Sequence, residues 1–166
     1  MDDYLHDLRI AQLFAKKNRE AMLDEIVKGM GFKVTGELDT IHNYVDLEHM
    51  ILRKGAISAR AGEEVLIPIN MRDGSLLAKG KGYYDWYQSA PHGAGRILSR
   101  SKAKQLLSVE DFKAEMKNVF STSVREETLD ESPMAYKSME EIIENTKDTI
   151  EIEAVLKPLY NFKASE

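Results

Sequence analysis

The sequence predicts an α+β fold: a mixed, largely antiparallel sheet with flanking helices, entered through a long N-terminal helix. Three observations carry that expectation. Residues 4–28 repeat apolar side chains at helical spacing without a single glycine or proline. Residues 32–77 then change character, into short runs of apolar and β-branched residues separated by glycine or proline, as strands and tight turns require. Helical spacing returns only beyond residue 99, so the elements do not alternate as βαβ units would. At 166 residues the chain has the length of one domain, taken as residues 1–166, and can bury a core.

Asp2 or Asp3 can cap the first helix by accepting backbone N–H groups that have no partner within it, and Gly29 and Gly31 end it. Leu5, Leu8, Ala15, Met22 and Ile26 form one apolar stripe, and Ile10, Phe14 and Ala21 lie near a second. Two stripes predict a helix covered on more than one side. Strands are predicted in "FKVTG" (32–36), "HMILRKG" (49–55), "EEVLIPIN" (63–70) and "SLLAKG" (75–80). The stretch "GKGYYDWYQSAPHGAGR" (80–96) reads as a long loop holding three of the seven tyrosines and the only tryptophan. Helices are predicted at 99–107 and 109–118, capped by Ser99 or Ser101 and by Ser108. "VFSTSV" (119–124) reads as a strand, and residues 132–147 as a turn leading into a helix whose first turn carries Glu140 and Glu141. "TIEIEAVLKPLYNF" (149–162) alternates and then runs apolar, as a strand interrupted by Pro158 does.

Composition narrows the function classes. Apolar residues make up 43% and charged residues 31%, which excludes a disordered chain. With a net charge of −5, any nucleic-acid contact must come from a local basic patch rather than a global field. The absence of cysteine removes disulfides and thiolate metal ligands and fits a reducing compartment. No apolar run approaches a membrane span, and the acidic N-terminus lacks a signal-peptide layout, so the expected address is the cytoplasm, with no membrane partner.

The chemistry concentrates in "SAPHGAGRILSR" (89–100). Gly93, Ala94 and Gly95 leave backbone N–H groups open to a phosphate, Arg96 supplies a planar fork, and Ser99 starts a helix. His92 at the head of this loop is a candidate covalent nucleophile, since a neutral imidazole has a free lone pair; the alternatives are a metal ligand or a packing residue. His42, in "TIHNYVD", reads first as a histidine hydrogen-bonded in a core, since no second histidine stands at metal-motif spacing from it. Arg53, Lys54 and Arg60 surround a Gly55 turn and form either a solvated turn or a grip on nucleotide or RNA phosphates. In "INMRDGS", Asn70 and Ser75 either contact a ribose or phosphate or shape a hairpin.

Taken in order, "HNYV", "RKGAISARAGEEVLIP", "SAPHGAGRILSRSKA", "DESPMAYK" and "NFKASE" resemble the carboxyl-terminal part of the RtcB family, the GTP-dependent RNA ligases of tRNA splicing and RNA repair. The resemblance implies an RtcB-like fold and an enzyme that joins an RNA 3′-phosphate or 2′,3′-cyclic phosphate to a 5′-hydroxyl through a histidine–GMP intermediate. It implies His92 as the nucleophile that carries GMP, and His42 as a manganese ligand. The nucleotide pocket would draw on Asn70, Ser75, Gly93, Ala94, Gly95, Tyr136 and Lys163, while Arg53, Lys54, Arg96 and Arg100 handle phosphates of GMP or of the RNA. Implied cofactors are GTP and Mn²⁺. Implied partners are RNA, as tRNA halves or broken strands, and an archease-like activator.

Two departures accompany the resemblance. Asn70 stands where the commoner family pattern, "PGSMGT-x-S", has its first serine. Family members are also much longer, and their amino-terminal half supplies Asp, Cys, His and Asn residues for the two-manganese site. The chain is therefore expected to be a truncated or split family member with that half as a further partner. The alternative is a module that binds nucleotide or RNA without catalysis of its own.

Overall fold

The computed structural model describes residues 1–163. Helix α1 (Asp2–Met30) is one uninterrupted rod, closed at Gly31, whose left-handed backbone lets its N–H and that of Phe32 turn back onto the carbonyls of Lys28 and Val27. Strands β1 (Tyr44–Asp46) and β2 (Ile51–Arg53) form a small antiparallel pair. Strand β3 (Ala56–Ser58) pairs antiparallel with β6 (Ser89–Pro91). Between them lie β4 (Glu64–Asn70) and β5 (Gly74–Gly80), which join β8 (Ile150–Leu156) in a three-stranded antiparallel sheet with β5 at its centre. A short parallel pair, β7 (Phe120–Ser121) with β9 (Tyr160–Asn161), completes the mixed set.

The sheet faces follow the alternation of the sequence. Val65, Ile67 and Ile69 of β4 are buried while Glu64 and Pro68 face out, and Leu76 and Ala78 of β5 continue the same apolar layer. Ile57 and Ala90 join it from the β3–β6 ribbon, Ala94 from the loop that follows β6, and Ile142 covers it from α4 (Met139–Thr146). Each branched aliphatic buried there contributes about 1.5–3 kcal/mol. The β4–β5 turn needs glycine at position 74. Its φ is +87°, and a Cβ would lie 2.0 Å from the Leu156 carbonyl oxygen. A second cluster, Met71, Phe112, Met116 and Leu129, gathers around α3 (Val109–Glu115). The two expected serine caps form: Ser99 accepts the Lys102 N–H at α2 (Arg100–Leu106) and Ser108 that of Asp111, while Ser138, not anticipated, accepts that of Glu141 at α4.

Four expectations are corrected. Neither Asp2 nor Asp3 caps α1: its N-cap residue is Met1, and no side chain accepts a hydrogen bond there. No residue of α1 is buried; Ile10, Phe14, Met22 and Ile26 are all more than half exposed, because among the described residues no element lies over their stripes. The helix is held to the body by polar ties, with Gln12 accepting the Val45 N–H and Arg19 clasping Asp39 through two nitrogens. Residues 32–36 form no strand, since no neighbouring edge pairs with them, and Phe32 and Val34 are exposed. Residues 80–96 are not a continuous loop: a one-turn 3₁₀ helix (Tyr84–Trp86) and β6 lie within them. None of the helices is long and apolar enough to cross a membrane among the described residues.

Candidate active site

His92 follows directly on β6, so the pairing of β6 with β3 sets its height along the ribbon. Its backbone N–H and its Nδ1 both reach the carbonyl oxygen of Gly55, at 3.3 and 2.7 Å. A carbonyl oxygen only accepts, so Nδ1 bears a proton, and in the neutral imidazole this leaves the lone pair on Nε2. The Gly55 turn is held in place from a third segment: its N–H donates to Asn43 Oδ1 at 2.7 Å. Asn43 adopts a left-handed φ of 57°, which asparagine tolerates better than most side chains. That tie carries the preceding residue with it. The His42 ring lies over the His92 ring, with centroids 4.7 Å apart and planes 21° apart.

His42 is thus not the core histidine its isolation suggested. It is exposed, and its nitrogens make no hydrogen bond among the described residues. Partial burial, and then repulsion from His92 whenever that ring is protonated, lower its pKa from the ordinary imidazole value, which favours the neutral form that can ligate. No three His, Asp or Glu side chains converge as metal ligands among the described residues. The manganese site implied by the resemblance is therefore not completed by them, and His42 offers one imidazole.

Both histidines line a cleft of about 1140 Å³. It also brings together Asn70, Ser75, Gly93, Ala94, Gly95, Arg96, Arg100, Tyr136 and Lys163, residues spread over nearly a hundred positions of sequence. Their states differ. The Ala94 N–H is taken by the Pro68 carbonyl at 3.1 Å, whereas those of Gly93 and Gly95 make no hydrogen bond among the described residues. Asn70 is occupied with its own turn: its Oδ1 accepts the N–H groups of Arg72 and Asp73, and its Nδ2 donates to Asp73 Oδ2. Of its two readings, this is the hairpin-shaping one. Ser75 stands at the start of β5, opposite Leu156 of β8.

Opposite this loop, the cleft's cations converge on two carboxylates that the sequence reading did not single out. Arg96 donates to the Asp130 carbonyl, to Glu131 Oε1 at 2.8 Å and to the Tyr136 hydroxyl at 2.7 Å, and its guanidinium lies 4.6 Å from the Tyr136 ring centroid. Arg100 reaches Asp130 Oδ2 at 2.7 Å, with Lys104 3.6 Å from the other oxygen. Lys163 Nζ lies 3.2 Å from Glu131 Oε2, and the Tyr136 hydroxyl donates to that same oxygen at 3.1 Å. Burial, reinforced by the Glu131 charge, pushes the Tyr136 phenol up to about 12, so it remains a donor at neutral pH.

Arg53 and Lys54 stand apart from this cleft. Arg53 is 2% exposed and donates to Ser89 Oγ, the Tyr44 hydroxyl, Asp46 Oδ2 and the Tyr87 carbonyl. It is a strut between the β1–β2 pair and β6, and its expected phosphate contact is corrected: a nearly fully buried guanidinium engaged with four internal acceptors is not presented to a phosphate. Burial pushes the Asp46 carboxyl up, but hydrogen bonds from Arg60, His49 and Arg53 outweigh it and hold the group well below the usual range. Lys54 is exposed beside a separate, smaller hollow with Met50 and Trp86.

Comparison with known proteins follows the same residues. Residues 1–164 match the family model described as tRNA-splicing ligase RtcB. The chain is 37% identical to the RNA-splicing ligase RtcB of Escherichia coli (strain K12), over 91% of this chain and 41% of that protein. It is 33% identical to the tRNA-splicing ligase RtcB of Aeropyrum pernix, over 63% of this chain and 27% of that protein. Against the tRNA-splicing ligase RtcB of Nanoarchaeum equitans the identity is 28%, over 81% and 34%. The chain spans about two fifths of the length of the Escherichia coli relative it matches. With a family match that runs through residues 1–164, the chain belongs to the RtcB family.

Proposed function

We propose that this chain carries the nucleotidyl-transfer part of an RNA-joining site, acting on GTP and RNA ends with His92 as the nucleophile. The observation that carries this reading is the Gly55 carbonyl on His92 Nδ1, which leaves the Nε2 lone pair for a ligand in the cleft. Nε2 would attack the α-phosphorus of GTP, forming a P–N bond as the P–O bond to pyrophosphate breaks and its electron pair leaves with pyrophosphate. An oxygen of an RNA 3′-phosphate would then attack the same phosphorus, and the P–N electrons return to Nε2. The 5′-hydroxyl of a second RNA end finally displaces GMP from the activated 3′-phosphate.

The surroundings support that chemistry. Phosphoryl transfer depends on placement and on charge to match the phosphate oxygens, and the Gly93 and Gly95 N–H groups, Lys163 and Arg100 lie on one cleft with His92. His42 would donate one imidazole to a Mn²⁺ ion, which when bound neutralises phosphate charge; its other ligands, like an archease-like activator, would come from outside these residues.

Incubating the chain with Mn²⁺ and GTP labelled at the α-phosphate tests this. Label should enter the protein, be absent with γ-labelled GTP, and vanish in His92→Ala. A binding module without turnover is the second reading, favoured by the lack of a three-ligand metal cluster among the described residues. It predicts GTP or RNA binding with no label under any divalent metal.

A further inference from the structure

Glu131 is the most connected side chain of the cleft. Four donors from three stretches of the chain meet it: Arg96 at 2.8 Å and Arg100 at 3.4 Å on Oε1, Tyr136 at 3.1 Å and Lys163 at 3.2 Å on Oε2. Its side chain is 16% exposed, so these contacts are only lightly screened by water. The sequence around it, "LDESPMAYK", explains the reach. Two short 3₁₀ turns, Glu126–Glu131 and Pro133–Ala135, project Glu131 toward the loop that follows His92, and an isolated bridge between Arg96 and Tyr136 fixes the far side. Lys163 arrives from the C-terminal strand, where Ser123 also holds its backbone: the Lys163 N–H donates to Ser123 Oγ, which donates to the Lys163 carbonyl.

A long lysine side chain loses rotamer entropy when it is held facing one ligand. A fixed carboxylate lowers that loss in advance. The same carboxylate accepts from the Tyr136 hydroxyl and from Arg96, whose guanidinium carbon lies 4.6 Å from the Tyr136 ring centroid. We infer that Glu131 is the positioning residue of the nucleotide site, holding Lys163 and Tyr136 on the cleft wall where a bound nucleotide would meet them. The inference rests on the reading of the cleft as a GTP site. Glu131 touches no reacting atom in it and acts through Lys163 and Tyr136.

Titration calorimetry with GTP on the whole chain, for wild type, Glu131→Gln, Lys163→Met and the double variant, tests it. Glutamine keeps the size of the side chain and loses its charge. If Glu131 acts through Lys163, each single variant weakens GTP binding about tenfold and the double variant is no more than about threefold worse than either, which is the non-additivity expected of coupled residues. Binding by Glu131→Gln as tight as or tighter than wild type, or losses that multiply, overturns the inference.

A second arm needs no ligand. Carbon-13 tyrosine NMR up to pH 11, with the Tyr136 resonance identified through Tyr136→Phe, should show that resonance already moving in Glu131→Gln while in wild type it stays close to its neutral-phenol position. An unchanged Tyr136 titration overturns the positioning role even if wild type binds no GTP, an outcome that would itself sink only the nucleotide reading.

Discussion

The imidazole of His42 stacks on that of His92 at a centroid distance of 4.7 Å, although fifty positions of sequence separate them. One asparagine accounts for the meeting. Asn43 accepts the Gly55 N–H, and the Gly55 carbonyl accepts the His92 Nδ1 proton, so a single turn holds both rings.

Replacing Asn43 separates hydrogen bonding from backbone shape. Asn43→Gly keeps access to the left-handed φ but loses the bond to Gly55, and should cost about 1 kcal/mol of stability in urea. Asn43→Ala loses both and should cost more. Equal stability of the two variants and wild type would show that the tie does not organise the turn.

The stacked pair also sets a pH dependence. Burial and the His92 charge lower the folded-state pKa of His42, so the unfolded chain binds a proton more readily than the folded one. Stability from this residue is therefore full above the ordinary imidazole pKa and is lost as pH falls through the lower folded value. Imidazole NMR should show His42 titrating below the ordinary value, and His92→Ala should raise it. A His42 titration unaffected by His92→Ala would contradict the coupling.

Arg53 is predicted to matter for folding. Arg53→Ala leaves Asp46 with Arg60 and His49 but empties a buried four-acceptor site, and should destabilise the chain by about 3 kcal/mol. Chemical denaturation reads this directly. Unchanged stability combined with lost RNA affinity would restore Arg53 to the phosphate contacts.

RNA affinity should depend on the rim of the cleft. Arg100→Ala and Lys104→Ala are each expected to weaken binding of single-stranded RNA and to reduce the slope of log K against log salt by about 1. An unchanged slope in both would place the RNA elsewhere.

Much of this was legible in sequence where a local rule suffices. The alternation of Val65, Ile67 and Ile69 marks β4, and serine caps mark α2 and α3, because those signals need no distant partner. The exposure of α1 was not legible: apolar stripes state what a helix can bury, and the covering element is a separate fact. β3 and β6 are three residues each, too short to show an alternation. In the site, the loop after His92 announces itself by residue type. Arg53 misled because a guanidinium in a basic run looks the same whether solvated or buried; its partners Asp46 and Tyr87 lie 7 and 34 positions away. Glu131 was overlooked because a carboxylate is not the residue type expected to line a phosphate site, and its role emerges only when residues distant in sequence, Arg96, Arg100 and Lys163, meet around it.

The central claim is that the fold presents His92 with Nε2 as its free nitrogen. Nitrogen-15 NMR of the His92 imidazole at neutral pH tests it most directly, before any nucleotide, metal or RNA is added. The account predicts the proton on Nδ1 and an unprotonated Nε2, with that preference lost when Asn43→Ala loosens the Gly55 turn. A proton on Nε2 with a bare Nδ1 would contradict it, since the lone pair would then point at the Gly55 carbonyl and no attacking atom would face the cleft.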